Sequence, residues 1–346
     1  MYHPGIVMLF GSGEIAPSAR RVYDWLFQRL PSPVQVAVLE TPAGFQPNCA
    51  AVAGKVVAFL RQHVHGEPSS VFSLPARRLG TPLSPNDPTL LAPLLRVSAV
   101  FLGPGSPTYA ARQLHNTLAW HLVLARHRLG AAIILASAGT FAASRCALPV
   151  YEIYKVGEDL HWVDGLDFFA PFGLSLALIP HWNNTEGGAE LDTSHGFIGR
   201  ERFERLLEML PPDITVVGID EHTAMVADLD GGTFRVMGRG GVTVLRAGQE
   251  AVYARGHLFS LGELGRFHRP TAHEGIPPEV WERVLTAQAE IEAPPPVPED
   301  VQALVDQREV ARGRRDWAQA DALRGRIAAR GWQVSDTPAG PRLEPA

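Results

Sequence analysis

Short, uninterrupted apolar runs recur along the amino-terminal part of the chain and alternate with longer amphipathic stretches. The runs cover residues 6–10, 34–39, 100–102 and 131–135, and the stretches between them cover 18–30, 48–63 and 107–127. Continuous apolar runs are typical of strands that are covered by helices on both faces. Alternating strands and helices predict right-handed crossovers and a mostly parallel α/β sheet, in which ligands bind beyond the carboxyl ends of the strands.

The pattern changes after Thr223, where short strands separated by Gly-rich turns predict an antiparallel β-meander at the end of the same domain. A helix is predicted at 278–292, so the α/β domain covers 1–292. Three consecutive prolines make 293–300 a stiff linker. Residues 301–346 are predicted to form a small helical hairpin with two apolar stripes, which are Val301, Leu304 and Val305, and Trp317, Ala320, Leu323 and Ile327.

Composition excludes several classes of protein. The 346 residues, 46% of them hydrophobic, suffice for one large domain and a small one, and the net charge of -5 does not indicate a nucleic-acid or anionic-membrane binder. Two cysteines cannot form a disulfide scaffold and indicate a reducing compartment. The amino terminus lacks the pattern of a signal peptide, and no apolar run approaches the roughly 20 residues of a spanning helix. We therefore expect a cytoplasmic protein without membrane contact.

Ser137 follows the predicted strand 131–135 and has the small neighbours Ala136, Ala138 and Gly139. A serine on a tight turn between a strand and a helix adopts strained backbone geometry, needs small neighbours and exposes its hydroxyl. The N–H of Ala138 would then lie at a helix N-terminus and could stabilise an oxyanion. The alternative is that Ser137 only caps the helix.

Glycines also follow the predicted strand 100–102, in the segment Gly103-Pro104-Gly105. Glycines at a strand end let the backbone approach a ligand closely. The N–H of Gly103 or Gly105 is therefore a candidate second oxyanion donor, whereas Pro104 has no N–H to donate. The alternative is a plain turn before the next helix.

A serine nucleophile needs a base, and the base needs an acid that orients it. Among the 13 histidines, His181 ends an apolar strand, whereas His195 lies in a polar loop. The acid candidates are Asp220 and Glu221, at the end of another predicted strand, and their rival Asp192. The residues alone leave both choices open.

The same region contains residues that bind metals in other proteins, namely His181, Glu186, Asp192, His195 and His222. No pair among them has the spacing of two ligands on one helix, such as H-x-x-x-H. We therefore expect neither a metal nor another cofactor.

Over residues 5–256, these segments together resemble the dipeptidase E and cyanophycinase family of serine peptidases. The S-A-G elbow of that family is similar to 137–139, its P-H-aromatic segment to 180–182, and its G-I-D-E-x-T-A segment to 218–224. The resemblance implies a class I glutamine-amidotransferase-like, flavodoxin-like sandwich. It also implies the roles of nucleophile, base and acid for Ser137, His181 and Glu221, an order that differs from that of α/β-hydrolases. The implied oxyanion donors are Ala138 with Gly103 or Gly105.

An arginine-rich segment, 199–206, resembles one that can meet an acidic substrate group in relatives, since a guanidinium fits a carboxylate well. The resemblance implies substrate binding by Arg200 and Arg202, and the alternative is a solvated helix face. We assign to the same role three polar residues of the preceding loop, which are Asn183, Asp192 and His195.

The chain departs from the family pattern at three places. Pro104 replaces a glycine, residues 182–195 separate the histidine from the arginine segment, and 148–157 has no clear counterpart. We therefore expect a pocket that differs from a cyanophycin groove.

The end of the chain, 301–343, resembles the small carboxyl-terminal element of cysteinyl-tRNA synthetases. The matching residues are Arg308, Ala311-Arg312, Asp316, Ala320-Asp321, Leu323-Arg324, Gly331 and Asp336-Thr337-Pro338. None of the catalytic apparatus of a synthetase accompanies them, so no aminoacylation is expected. The resemblance implies a docking or RNA-contact module.

Two functions follow from these patterns. The first is a serine hydrolase that cleaves a peptide or amide bond in a small peptide, with room for a homodimer. The second is a non-catalytic binding protein on the same fold, with a tRNA- or translation-linked role through its tail. A glutamine amidotransferase is excluded because it needs a cysteine where this chain has Ser137.

Overall fold

The computed structural model describes residues 2–63, 69–293, 296–337 and 340–345. The chain divides into two compact units, Met1–Ala287 and Gln288–Ala346. Pro294 and Pro295 of the predicted linker, and Pro338 of the tail motif, lie outside the described residues. Within the described part of the chain, no helix combines the length and the apolar character needed to cross a membrane.

The strands of the first unit are short and mostly buried. They are β1 (Val7–Phe10), β2 (Gln35–Leu39), β3 (Ser70–Leu74), β4 (Ala99–Leu102), β5 (Ala132–Ala136), β6 (Cys146–Ala147), β7 (Val163–Asp164), β8 (Leu176–Ile179), β9 (Thr215–Ile219), β10 (Thr223–Asp228), β11 (Thr233–Gly238), β12 (Val242–Arg246), β13 (Gln249–Tyr253) and β14 (Leu258–Ser260). The α-helices are α1 (Arg20–Phe27), α2 (Cys49–Arg61), α3 (Pro107–Leu114), α4 (Leu118–Arg128), α5 (Ala138–Ala142), α6 (Arg200–Glu208) and α7 (Pro278–Glu292), and α7 ends in the second unit.

An eight-stranded sheet in the order β14-β11-β10-β1-β5-β4-β2-β3 forms the centre of this unit. The strands from β1 to β3 in that order are parallel. Side chains alternate between the two faces: Val7 and Leu9 pack in one core with Leu122 of α4, whereas Met8 packs in the other with Val22 of α1. The predicted mostly parallel sheet with helices on both faces is therefore confirmed.

The predicted β-meander is divided between two sheets. β10, β11 and β14 extend the large sheet in antiparallel fashion, whereas β12 and β13 join β9 and β8 in a four-stranded sheet. The chain crosses between the sheets at Gly238, whose φ is +104° and where a Cβ would lie 2.3 Å from the carbonyl oxygen of His222. Only glycine fits such a close turn.

The single helix predicted at 107–127 is wrong, because the chain forms α3 and α4 instead. Asn116 between them has a φ of +55°, which no right-handed helix contains. Thr117 then starts α4 by accepting a hydrogen bond from the Trp120 N–H at 3.4 Å. Strand β3 at the sheet edge was not predicted.

The second unit contains the two helices that the apolar stripes predict, α8 (Glu299–Gly313) and α9 (Trp317–Ala328). A hairpin of β15 (Trp332–Thr337) and β16 (Gly340–Pro345) was not predicted, and its Trp332 completes the small core. Trp317 is 57% exposed, so its placement in an apolar stripe is wrong. It occupies the first turn of α9, directly after the capping residue Asp316, and faces solvent.

Candidate active site

Ser137 occupies a sharp turn between β5 and α5. Its φ of +49° and ψ of -112° are strained for a residue with a side chain. The turn lies so close to β4 that a Cβ on Gly139 would lie 2.4 Å from the carbonyl oxygen of Leu102, which explains the small residues. The Ser137 side chain makes no capping hydrogen bond to α5, so the alternative of a plain helix cap does not describe it.

The Ser137 hydroxyl instead contacts a histidine. Its Oγ lies 3.0 Å from Nε2 of His181, which follows β8. The backbone N–H of His181 donates to the Gly11 carbonyl at 3.1 Å, and the imidazole packs against the Phe197 ring at 4.9 Å between centroids. These contacts hold the imidazole in place beside the elbow.

The second ring nitrogen of His181 contacts a carboxylate. Nδ1 of His181 lies 3.0 Å from Oε1 of Glu221, and Asn184 Nδ2 donates to the same oxygen at 2.9 Å. The hydrogen bond with His181 holds the pKa of Glu221 below its ordinary value of 4.5, with burial acting against it and Asn184 adding to it. Since a carboxylate only accepts, Nδ1 carries the proton and Nε2 can accept the proton of Ser137.

Three backbone N–H groups near the elbow have no acceptor among the described residues: those of Ala138, Gly103 and Gly105. All three residues are buried, and the Ala138 N–H belongs to the first turn of α5, where no intrahelical acceptor is present. Gly103 follows β4, whose last residue pairs with Leu135 of β5, so these groups lie at adjacent strand ends. Free donors in this position can hold a developing oxyanion.

The residues assigned to substrate binding are dispersed. Asn183 accepts the backbone N–H of Glu221 at 2.8 Å, so it contacts the main chain of the candidate acid. Asp192 accepts from the N–H of Arg200 at 2.7 Å and caps the start of α6, which lowers its pKa to about 2. Arg202 makes no hydrogen bond or ion pair with a described residue.

His195 is buried between the rings of Trp182 and Phe203, with centroids 4.2 and 5.0 Å away, and burial lowers its pKa. A cavity of about 360 Å³ brings together Asn183, His195 and Arg200, whereas Ser137, Asp192 and Arg202 do not line it. The substrate-binding roles of these five residues stay predictions.

The residues considered as a metal site do not assemble. Within the described ranges, no group of three or more His, Cys, Asp or Glu side chains is placed to hold a metal ion.

The fold of the first unit is found in a solved peptidase. A peptidase from an acI-B1 Actinobacterium aligns with a TM-score of 0.59 and 19% identity, over 75% of this chain and 97% of that one. This likeness confirms the predicted fold. At this identity it carries no more than the fold.

The tail matches a known family. Residues 294–340 match the Cysteinyl-tRNA ligase anticodon binding domain. Cysteine--tRNA ligase 1 of Burkholderia lata is 55% identical over 47 residues, and Cysteine--tRNA ligase of Chlamydia caviae is 44% identical over 48 residues. Each match covers 14% of this chain and 10% of the ligase, so the chain spans a small part of those proteins. The predicted resemblance of the tail is confirmed.

Asn184 contacts Glu221 but belongs to none of the motifs described above. It is 1% exposed and donates to Glu221, and its own Oδ1 accepts the Glu186 N–H at 3.1 Å. The pair Asn183-Asn184 directly follows His181-Trp182 in the sequence, so two amides close to a candidate base were the available signal.

Proposed function

We propose that this chain is a serine hydrolase that cleaves a peptide or amide bond in a small peptide through an acyl-enzyme. Ser137 is the proposed nucleophile, His181 the base and Glu221 the orienting acid. The observation that supports this proposal is the unbroken hydrogen-bonded chain from Oγ of Ser137 through His181 to Glu221, with both steps at 3.0 Å. Strain at Ser137 adds support, because strained residues cluster at active sites.

In the proposed first half-reaction, Oγ of Ser137 attacks the substrate carbonyl carbon and its proton passes to Nε2 of His181. Glu221 stabilises the resulting imidazolium through Nδ1–H. The N–H groups of Ala138 and of Gly103 or Gly105 hold the oxyanion. When the C–N bond breaks, His181 gives its proton to the leaving amine. An ester then links the acyl group to Ser137.

The second half-reaction follows the same path in reverse order. Water attacks the ester carbonyl, its proton passes to Nε2 of His181, and the second oxyanion collapses with return of the proton to Ser137 Oγ. The carboxylic acid product leaves. No metal or other cofactor has a step in this scheme.

A fluorophosphonate probe tests the nucleophile directly, because it forms a covalent bond with an activated serine whatever the substrate is. We expect the full chain to be labelled at Ser137 and the Ser137→Ala protein to remain unlabelled. Ser73→Ala is the matched control, since Ser73 is an exposed serine on β3. Labelling that survives in Ser137→Ala, or is absent from the folded wild type, would contradict the proposal.

A second function is favoured by the family match of the tail, which we propose contacts RNA. Arg308, Arg312 and Arg324 gather on Asp336 and are already engaged within the unit. Arg314 and Arg315 are exposed and have no acid partner among the described residues, so they are available for phosphates.

A gel-shift titration of the full chain with tRNA at two salt concentrations tests this second function. We expect weaker binding at high salt, and weaker binding at both concentrations for Arg314→Gln/Arg315→Gln. Arg21→Gln, an exposed arginine on α1, is the control. Equal binding by the double variant and the control would remove these arginines from any RNA contact.

A further inference from the structure

A cavity of about 630 Å³ lies beyond the Gly103–Gly105 loop, and none of the candidate site residues named above lines it. Ser106, which follows the loop, and Thr108, Tyr109 and Arg112 of α3 form one wall. Helix α3 packs beside α5, which begins next to Ser137. The cavity is therefore lined by the residue that follows the candidate oxyanion loop and by a helix that packs against α5, and its volume is that of a small-molecule site.

Two arginines line this cavity without partners. The side chains of Arg78 and Arg112 make no ion pair or hydrogen bond with a described residue, whereas the neighbouring Arg77 is paired with Glu40 at 2.7 Å. The Arg112 guanidinium lies 5.5 Å from the centroid of the Tyr109 ring. Two unpaired guanidinium groups in one concave site are suited to binding a carboxylate. Each guanidinium can donate two parallel hydrogen bonds to the carboxylate oxygens.

Aromatic rings form the apolar part of the lining. Phe45 and Tyr151 are 48% and 39% exposed, and the Phe45 ring lies 5.2 Å from that of Tyr109. When a ligand covers exposed rings in a concave site, apolar surface is removed from water, and this stabilises the complex. Such a lining suits a ring or another large apolar group.

Two oxygens in the lining lack partners. Oγ1 of Thr108 and Oε2 of Glu152 are buried and have no hydrogen-bond partner among the described residues. A buried carboxylate oxygen without a donor costs free energy that a ligand N–H would recover. Glu152 begins a π-helical turn, Glu152–Val156, in the segment 148–157 that departs from the family pattern. Such turns are often found at functional sites.

We infer that this cavity binds the C-terminal residue of the substrate peptide, a residue with an aromatic or large apolar side chain. Its carboxylate binds Arg78 and Arg112, its side chain packs against the rings, and its N–H donates to Glu152. One amino-acid residue carries all three groups on a single Cα, which accounts for the arginines, the rings and the unpaired oxygen together. The inference that the ligand is a substrate rests on the proposed hydrolase function, whereas the binding itself does not depend on catalysis.

Calorimetric titration of the Ser137→Ala protein tests the inference without turnover. The probes are Ala-Phe, its C-terminal amide Ala-Phe-NH2, Ala-Ala, and Ala-Asp-NH2, which carries its carboxylate on a side chain. We expect Ala-Phe to bind at least about tenfold more tightly than each of the others, because a hydrogen-bonded charge or a buried ring contributes that much. Equal affinity for Ala-Phe and Ala-Phe-NH2, or tighter binding of Ala-Asp-NH2, would overturn the inference.

Variants assign the binding to this cavity. In the same background, Arg78→Gln/Arg112→Gln should lower the affinity for Ala-Phe to that for Ala-Phe-NH2 and leave the amide unaffected, whereas Arg21→Gln changes neither. A loss no larger than that of Arg21→Gln would overturn the inference. With Ser137 intact, Arg21→Gln should keep the fluorophosphonate labelling of the wild type. Absent labelling in the wild type would contradict the hydrolase, while the titrations would still decide the cavity.

Discussion

Asn184 and His181 share one oxygen atom of Glu221, which lies 2.9 Å from Asn184 Nδ2 and 3.0 Å from His181 Nδ1. The amide thus gives the carboxylate a second hydrogen bond besides that of the imidazole. Because a carboxylate oxygen can accept two hydrogen bonds, both contacts can form together. Asn184 is therefore a positioning residue for the proposed base.

Replacement of this amide should impair hydrolysis and shift the titration of Glu221. In Asn184→Ala, Glu221 loses a hydrogen bond worth about 1 kcal/mol, so kcat/KM should fall roughly fivefold to tenfold. The same loss raises the pKa of Glu221, because Asn184 is one of the groups that lower it. The titration of the Glu221 carboxyl group, followed by carboxyl-carbon NMR, should therefore move to higher pH.

The control for this change is Asn48→Ala, which removes an exposed amide that makes no capping bond. A fall in kcat/KM without movement of the Glu221 titration would indicate a structural role for Asn184 only. Urea unfolding of both variants checks that the fold is retained.

Addition of one methyl group at the elbow should be costly. In Gly139→Ala, the new Cβ would lie 2.4 Å from the Leu102 carbonyl oxygen, and backbone cannot yield as a side-chain tip can. We expect a loss of about 1–3 kcal/mol in the free energy of unfolding, together with slower fluorophosphonate labelling of Ser137. Gly54→Ala is the matched control, since a Cβ at that position in α2 meets nothing within 4 Å. The control should gain about 0.5–1 kcal/mol.

The carboxylate of Asp192 should stabilise the fold only at a pH that keeps it ionised. Its pKa is about 2 in the folded chain, below the ordinary 3.8, chiefly because it accepts the Arg200 N–H. A lowered pKa gives stability that is fully present above 3.8 and is lost as the pH falls through about 2. The stability difference between wild type and Asp192→Asn should therefore disappear between those two values.

Urea midpoints of both proteins across that pH range measure this difference, with Glu190→Gln in the same loop as the control. Asp192 is exposed, so the difference should be small even at neutral pH. A difference that stays constant down to pH 2 would exclude ionisation of Asp192 as its source.

Three residues of the candidate site could be predicted from short motifs in the sequence. Ser137, His181 and Glu221 each follow a buried strand, so three short motifs marked them. His181 and Glu221 meet because β8 and β9 are parallel neighbours in the four-stranded sheet, whereas Ser137 follows β5 of the large sheet, and no pattern in the sequence predicts that the two sheets bring these strand ends together. Their hydrogen bonds were beyond prediction, because they depend on strained backbone at Ser137 and His181, with φ values of +49° and +55°.

Other features depend on contacts between distant segments. Strand β12 pairs with β9 rather than with β11, the strand that precedes it in the sequence. The residues of β12 do not predict this pairing. The cavity beside α3 joins Phe45, Arg78 and Tyr151 from separate parts of the chain, and no spacing in the sequence relates them. The helix break at Asn116 has a local signal, since Asn tolerates a positive φ and Thr117 is a good cap.

The buried arginine of the tail offers a test of the second unit. Arg308 is 2% exposed and binds both oxygens of Asp336 at 2.9 Å, whereas Arg324 reaches the same carboxylate only at 3.7 Å and is half exposed. Arg308→Met should destabilise this unit by about 2–3 kcal/mol, since Asp336 loses its buried bidentate partner and keeps only more exposed arginines and some solvent. Arg324→Met should cost at most about 1 kcal/mol. Hydrogen exchange of the α9 amides in the full chain measures both, and equal acceleration by the two variants would show that the bidentate pair has no special weight.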